Sequence, residues 1–104
     1  MAIAALDIGG TNIKHCLYET GADFLTAPKG STPALAKQGA PALLERVYAI
    51  LDDMKETGFD AIGVSTAGQV DPTDGRILEA SDHIPGYAGT PLGQLLSQRY
   101  GVPV

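Results

Sequence analysis

The segment Leu6-Asp7-Ile8-Gly9-Gly10-Thr11-Asn12-Ile13-Lys14 constrains this chain more than any other. The apolar run Ala2 to Ile8 precedes it, and a second strand-like run, Ile13 to Tyr18, follows it. Two strands joined by a tight glycine-rich turn make a hairpin, so any fold for this chain starts antiparallel. The first run is almost continuously apolar, which predicts burial on both faces. Glycines at the turn let the backbone approach an anion with no Cβ in the way and permit positive φ. Successive N–H groups there can form an anion-holding concavity, to which the Thr11 hydroxyl adds a donor. Asp7, at the strand's end, is a hard oxygen ligand suited to Mg²⁺, usually through water. The same residues also read as an ordinary hairpin with a Gly-Gly turn, and because such turns are common the Gly-Gly pair alone favours that plainer reading. Neither GxxxxGK[ST] nor GxGxxG is present, so those nucleotide loops are excluded.

Gly21-Ala22-Asp23 is read as a turn into a third strand, roughly Phe24 to Ala27. Pro28 to Pro41, rich in Pro, Gly, Ser, Thr and Lys, is read as a loop with a short helical turn inside it. From about Ala42 to Thr57, the residues Leu43, Leu44, Val47, Ile50, Leu51 and Met54 recur at helical spacing and form one apolar stripe, with Gly58 just past the end. Phe59 to Ser65 is a buried strand, and a strand arriving after a helix predicts a crossover onto the same sheet. Thr66-Ala67-Gly68-Gln69 is a small-residue turn, Val70 to Leu78 a minor hairpin, and Ser81 to Gly89 an extended loop. Thr90 as N-cap and Pro91 in the first turn open a last helix, with Leu92, Leu95 and Leu96 inward and Gly101 as its stop. Val102-Pro103-Val104 reads as the opening of a further strand. A domain rarely ends one step into a buried strand, so the expectation is an incomplete lobe over residues 1–104.

Apolar residues at 44% and charged residues at 18% fit a folded globular composition and argue against disorder. The formal net charge of -5, with seven scattered basic residues, lacks the concentrated basic face that nucleic acid requires. A nucleotide is not excluded, because backbone N–H groups and one cation can hold it without net positive charge. Apolar runs fall far short of the ~20 residues of a membrane span. The start has no basic flank before its apolar residues, so no signal peptide is expected and a cytoplasmic address follows. Cys16 has no second cysteine to pair with and is read as a buried structural thiol; no Cys/His cluster suggests zinc.

Asp7-Ile8-Gly9-Gly10-Thr11-Asn12-Ile13-Lys14 resembles the first phosphate motif of the ROK family of bacterial glucokinase-like sugar kinases and related repressors. The resemblance continues through Gly63 to Asp71, Ile84 to Leu92 and Tyr100 to Val104, four segments in the family's order across the whole chain. It implies an α/β fold, one lobe of the ribonuclease H-like, actin-like ATPase architecture, with a mixed sheet and helix crossovers. It implies ATP and Mg²⁺ as cofactors, a small-molecule sugar as partner, and a homodimer as the full-length protein. By the same resemblance Asp7, Gly9, Gly10, Thr11, Asn12 and Lys14 belong to the phosphate and magnesium site, with Asp7 the metal residue. Ala67, Gly68 and Gln69 match the turn on the sugar side of the cleft, and Asp82 lies where members place a polar sugar contact. The family's general-base Asp is expected beyond Val104, as are the zinc segment, the second phosphate motif and the adenosine pocket. The isolated chain is therefore expected to be a non-catalytic lobe.

Plainer readings stand beside these. Ser65 and Thr66 satisfy backbone groups at a strand end, Lys14 is a solvated strand residue, His15 and His83 are structural or surface residues, and Tyr87 packs a loop. Two other functions compete: a ROK-type sugar-responsive repressor, disfavoured because the phosphate motif begins at Asp7 with no room before it for a helix-turn-helix, and a non-catalytic sugar-sensing domain.

Overall fold

The computed structural model describes residues 1–23, 27, 29–80 and 83–104. The glycine-rich turn does join two antiparallel strands: β1 (Ala2–Ile8) and β2 (Asn12–Glu19) pair with Ile8 opposite Ile13 and Asp7 opposite Lys14. β3 (Lys29–Pro33) adds antiparallel to the outer edge of β2. After α1 (Ala40–Thr57), β4 (Ala61–Thr66) returns parallel to β1, giving the mixed order β3-β2-β1-β4. Then come a two-stranded ribbon, β5 (Gln69–Val70) with β6 (Ile77–Glu79), and α2 (Leu92–Tyr100), which ends at Gly101.

The α1 stripe forms as its spacing requires. Leu43, Val47, Ile50, Leu51 and Met54 are buried against Ala4, Leu6, Ile8, Ile13 and Ile62 of the sheet. The helix starts at Ala40, two residues before the sequence expectation, because Pro41 fits the first turn, where a missing N–H costs nothing. Leu92 and Leu96 of α2 are buried and Leu95 half-buried.

Several expectations are corrected. β1 is buried on one face only: Ala4, Leu6 and Ile8 face α1, while Ile3 and Ala5 are partly covered and Asp7 is exposed. An apolar run marks potential for burial, and no described element covers its second face. The third strand occupies Lys29–Pro33, inside the segment read as a loop. The strand expected near Phe24 falls mostly outside the described residues. Lys-Gly-Ser-Thr-Pro carries little strand propensity beyond Thr32, yet an edge strand tolerates polar residues and a terminal proline. Thr90 does not cap α2. Pro91 holds that position, and Thr90 is buried with its carbonyl accepting the N–H groups of Ile77 and Leu92. Val102–Val104 is not a regular strand, although the Pro103 carbonyl accepts the Ile62 N–H of β4 at 2.9 Å. Among the described residues no helix is long and apolar enough to cross a membrane.

α2 is tied to α1 by a small polar latch. Arg99 donates to one Asp52 oxygen at 2.9 Å and the Tyr100 hydroxyl to the other at 2.8 Å. The Arg99 guanidinium lies 4.3 Å from the Tyr48 ring centre, and Phe59 meets Tyr100 edge-on. Arg99, and then Tyr100, hold the Asp52 carboxyl below its usual range. Burial, and then the bond to Asp52, push the Tyr100 phenol up from 10 to about 12. The unfolded chain thus ionises Tyr100 first, so its contribution to stability is complete below pH 10 and is lost as pH rises toward 12. Thermal melts of the native chain are expected to show this alkaline loss, and Tyr100→Phe to flatten it; an unchanged profile in the variant would assign the loss elsewhere.

Candidate functional site

Two backbone hydrogen bonds draw the chain's glycine-containing turns together. The Ala67 N–H donates to the Ile8 carbonyl at 2.8 Å, extending the β1–β4 ladder past its last pair, so the turn after β4 lies beside the turn after β1. The Ala34 N–H donates to the Thr11 carbonyl at 3.0 Å and pins the chain after β3 to the same place. The loop before α2 closes the remaining side: Tyr87 is buried, and its hydroxyl lies 2.6 Å from Thr66 Oγ1. Burial pushes the Tyr87 phenol up, while Thr66 opposes the shift.

The result is a hollow of about 320 Å³ lined by Gly10, Thr11, Lys37, Ala67, His83 and Ile84. Its donors follow from the turn. The Gly9 N–H is committed to the Asn12 carbonyl at 3.1 Å, the bond that closes the hairpin. Among the described residues, the Gly10 and Thr11 N–H groups donate to no carbonyl. Neither Gly9 nor Gly10 has positive φ, contrary to expectation. Gly10 matters through space instead: a Cβ built there would meet nothing closer than the His83 Cβ at 3.8 Å, so only the missing side chain keeps that side open. Amides with no carbonyl partner among the described residues, a hydroxyl and room for a compact group make a place an anion can occupy.

The predicted residues divide between two places. Gly10, Thr11 and Ala67 line the hollow. Asp7 and Lys14 do not; they sit on the open face of the sheet, where Ser31, Lys14, Asp7 and Ser65 occupy one register row across the four strands. That face carries a second hollow of about 550 Å³, which also includes Ala5, the buried thiol Cys16 and Lys29. Asn12 is exposed at the start of β2, opposite Pro33. Gly68 lines neither hollow; it has φ +99° and stands against the Glu79 carbonyl. Gln69 is exposed in β5, opposite Glu79. Asp82 lies outside the described residues.

Two lining residues escaped the sequence reading. Lys37 sits in a short 3₁₀ turn, Ala36–Gln38, within the segment read as loop, and no spacing marks it. His83 was read as structural or surface, although its position directly before Ile84-Pro85-Gly86 was a usable signal. The His15 imidazole is placed away from both turns' donors, with Nε2 3.1 Å from Thr32 Oγ1. No cluster of three or more His, Cys, Asp or Glu side chains among the described residues could hold a metal ion by itself.

Comparison with known proteins agrees with this architecture. The chain is 33% identical over 101 residues to the Clostridium perfringens protein CPE0188, an overlap of 96% of this chain and 34% of that one. The Lmo2764 protein of Listeria monocytogenes superposes on it with a TM-score of 0.82 at 27% identity, and a ROK hexokinase from Thermus thermophilus with 0.79 at 28%. A ROK family glucokinase from Streptomyces griseus, solved with glucose and AMPPNP, gives 0.75 at 27%. All of this chain is covered in each superposition, but only 34%, 34% and 32% of those structures. The chain thus spans about a third of the length of the relatives it matches, with the α/β, actin-like ATPase fold of the sugar kinases among them. The ROK family model matches residues 3–104, and the chain belongs to the ROK family as an amino-terminal portion.

Proposed function

We propose that residues 1–104 form the phosphate-holding lobe of an ATP-dependent kinase acting on a hydroxyl of a hexose or N-acetylhexosamine. The observation that carries this reading is the shared hollow: the turns after β1 and β4 meet around it, with the Gly10 and Thr11 amides donating to no carbonyl among the described residues. Similarity to a hexokinase and to a glucokinase bound to glucose and an ATP analogue supports the class of reaction.

In this reading Gly10 and Thr11 hold phosphoryl oxygens through their N–H groups and the Thr11 hydroxyl. Gly9 closes the turn, Asn12 anchors it through its carbonyl, and Lys14 offers positive charge on the open face of the sheet, opposite Asp7. Asp7 suits Mg²⁺, which keeps several waters and needs only one or two carboxylates alongside nucleotide phosphates, so the lack of a larger acidic cluster among the described residues fits. When bound, Mg²⁺ and ATP supply the charge neutralisation and the transferable phosphoryl group. Ala67, Gly68, Gln69 and Asp82 form the sugar side. In the family-length protein a carboxylate outside residues 1–104 removes the proton from the attacking hydroxyl, and that protein works as a homodimer closing two lobes over its substrates.

The test is ATP consumption by the family-length protein with Mg²⁺ across a panel of hexoses and N-acetylhexosamines. At least one sugar is expected to drive stoichiometric ADP formation with a sugar phosphate as co-product. Intact ATP with every sugar, alongside sugar binding seen by calorimetry, would replace the kinase with a sensor.

A further inference from the structure

The hollow is lined by a lysine that the phosphate motif does not include, and the chain bends sharply where it enters that part of the wall. Lys37 occupies the middle of the 3₁₀ turn Ala36–Gln38. The residue leading into that turn, Leu35, has φ 54° and ψ 33°, and is the one non-glycine residue with positive φ among the described residues. A branched apolar side chain in the left-handed region is strained and persists only where surrounding contacts impose it.

Those contacts can be named. On the entry side, the Ala34 N–H donates to the Thr11 carbonyl, and Ala34 is wholly buried. On the exit side, the Ala40 N–H donates to the Pro85 carbonyl at 2.9 Å, in the loop that carries His83 and Ile84. Between them the Gln38 and Gly39 N–H groups close back on Leu35 and Ala36, and Ala36 is buried. The turn is therefore fastened at one end to the phosphate turn and at the other to the loop across the hollow, and Lys37 is its charged residue. Lys37 makes no ion pair with any described residue. In a chain of net charge -5, a lysine lining the same hollow as two amides that have no carbonyl partner among the described residues gives that hollow a local positive bias.

We propose that Lys37 is a binding residue for the anionic phosphoryl group seated at the Gly10–Thr11 turn, supplying the charge that the backbone donors lack. This rests on the phosphate-site reading given above. The shared ligand chemistry is a terminal phosphoryl group, whether carried by a nucleotide or by an inorganic polyphosphate.

The test is an amide NMR titration of the 104-residue chain with inorganic pyrophosphate, and separately with Mg-ATP, for the native chain, Lys37→Ala and Lys37→Arg. The native chain is expected to show saturating shifts at Gly10 and Thr11. Lys37→Ala is expected to weaken binding about three- to fivefold, the size of one partly solvated charge contact, and Lys37→Arg to restore it. Lys37 is exposed, so the variants keep the native spectrum away from the hollow. Loss with pyrophosphate and Mg-ATP alike assigns the contact to a phosphoryl group of either source, and loss with Mg-ATP alone narrows it to the nucleotide. Equal binding by the native chain and Lys37→Ala would overturn the Lys37 assignment and leave the phosphate site standing. No shift at Gly10 or Thr11 in the native chain would overturn both.

Discussion

Gly10→Val is expected to remove phosphate and nucleotide binding while the fold survives. Gly10 is not at positive φ, and its nearest prospective contact, the His83 Cβ, is 3.8 Å from where a Cβ would stand. The new side chain therefore enters open space and pushes on no backbone, which limits the stability change to about 1 kcal/mol or less. That open space is the hollow itself. A valine there displaces the phosphoryl oxygens from the Gly10 and Thr11 amides, and each hydrogen bond to a charged group is worth about 1.5–3 kcal/mol. Losing two corresponds to more than about a hundredfold in affinity. Calorimetric or NMR titration with Mg-ATP measures the loss, and a thermal melt measures the retained fold. A variant that binds as the native chain does would place the phosphates elsewhere, with the open-face hollow around Asp7 and Lys14 the next place to look.

Gly68→Ala is expected to do the reverse and attack the fold first. Gly68 has φ +99°, and a Cβ there would lie 2.5 Å from the Glu79 carbonyl oxygen, a backbone atom that cannot swing aside. The left-handed backbone costs about 1–3 kcal/mol for a residue with a side chain, and the overlap forces the β5–β6 ribbon apart at its first pair, Gln69 opposite Glu79. Together these give roughly 2–4 kcal/mol, or on the order of 10–20 °C in Tm for a domain of this size. Gly21→Ala separates the two costs, because Gly21 has φ +93° with nothing within 4 Å and bears the backbone term alone. Equal melting temperatures for the two variants would remove the Glu79 contact from the account. Since Ala67 adjoins Gly68 and lines the hollow, the displaced ribbon is also expected to weaken ligand binding by moving one wall.

Most of the architecture was legible because local patterns and global packing agree in it. The Gly-Gly hairpin, the α1 stripe of Leu43, Val47, Ile50, Leu51 and Met54, and the ribbon from Val70 to Leu78 each carry their own signal in spacing and turn chemistry. β3 was illegible because an edge strand is held by main-chain bonds to β2, and Lys-Gly-Ser-Thr-Pro is only as polar as such an edge permits. Thr90 misled for a related reason: its residue type fits a cap, but Ile77 and Leu92 already claim its carbonyl and burial claims its side chain.

The candidate site divides in the same way. Residue identity alone marked the Asp7 to Lys14 segment and the Ala67-Gly68-Gln69 turn as places where a backbone can meet a ligand, since glycine, threonine and a strand-end carboxylate carry that chemistry wherever they fold. Tertiary structure decided which of them share a space. The parallel pairing of β1 with β4 brings Ala67 to the end of β1, and strand alternation sends Asp7 and Lys14 to the opposite face from Leu6 and Ile8. Lys37 and His83 join Gly10 only because long-range backbone bonds, Ala34 to Thr11 and Ala40 to Pro85, fasten their loops there. Local sequence encodes turns and faces; which turns become neighbours depends on contacts between residues far apart in the chain.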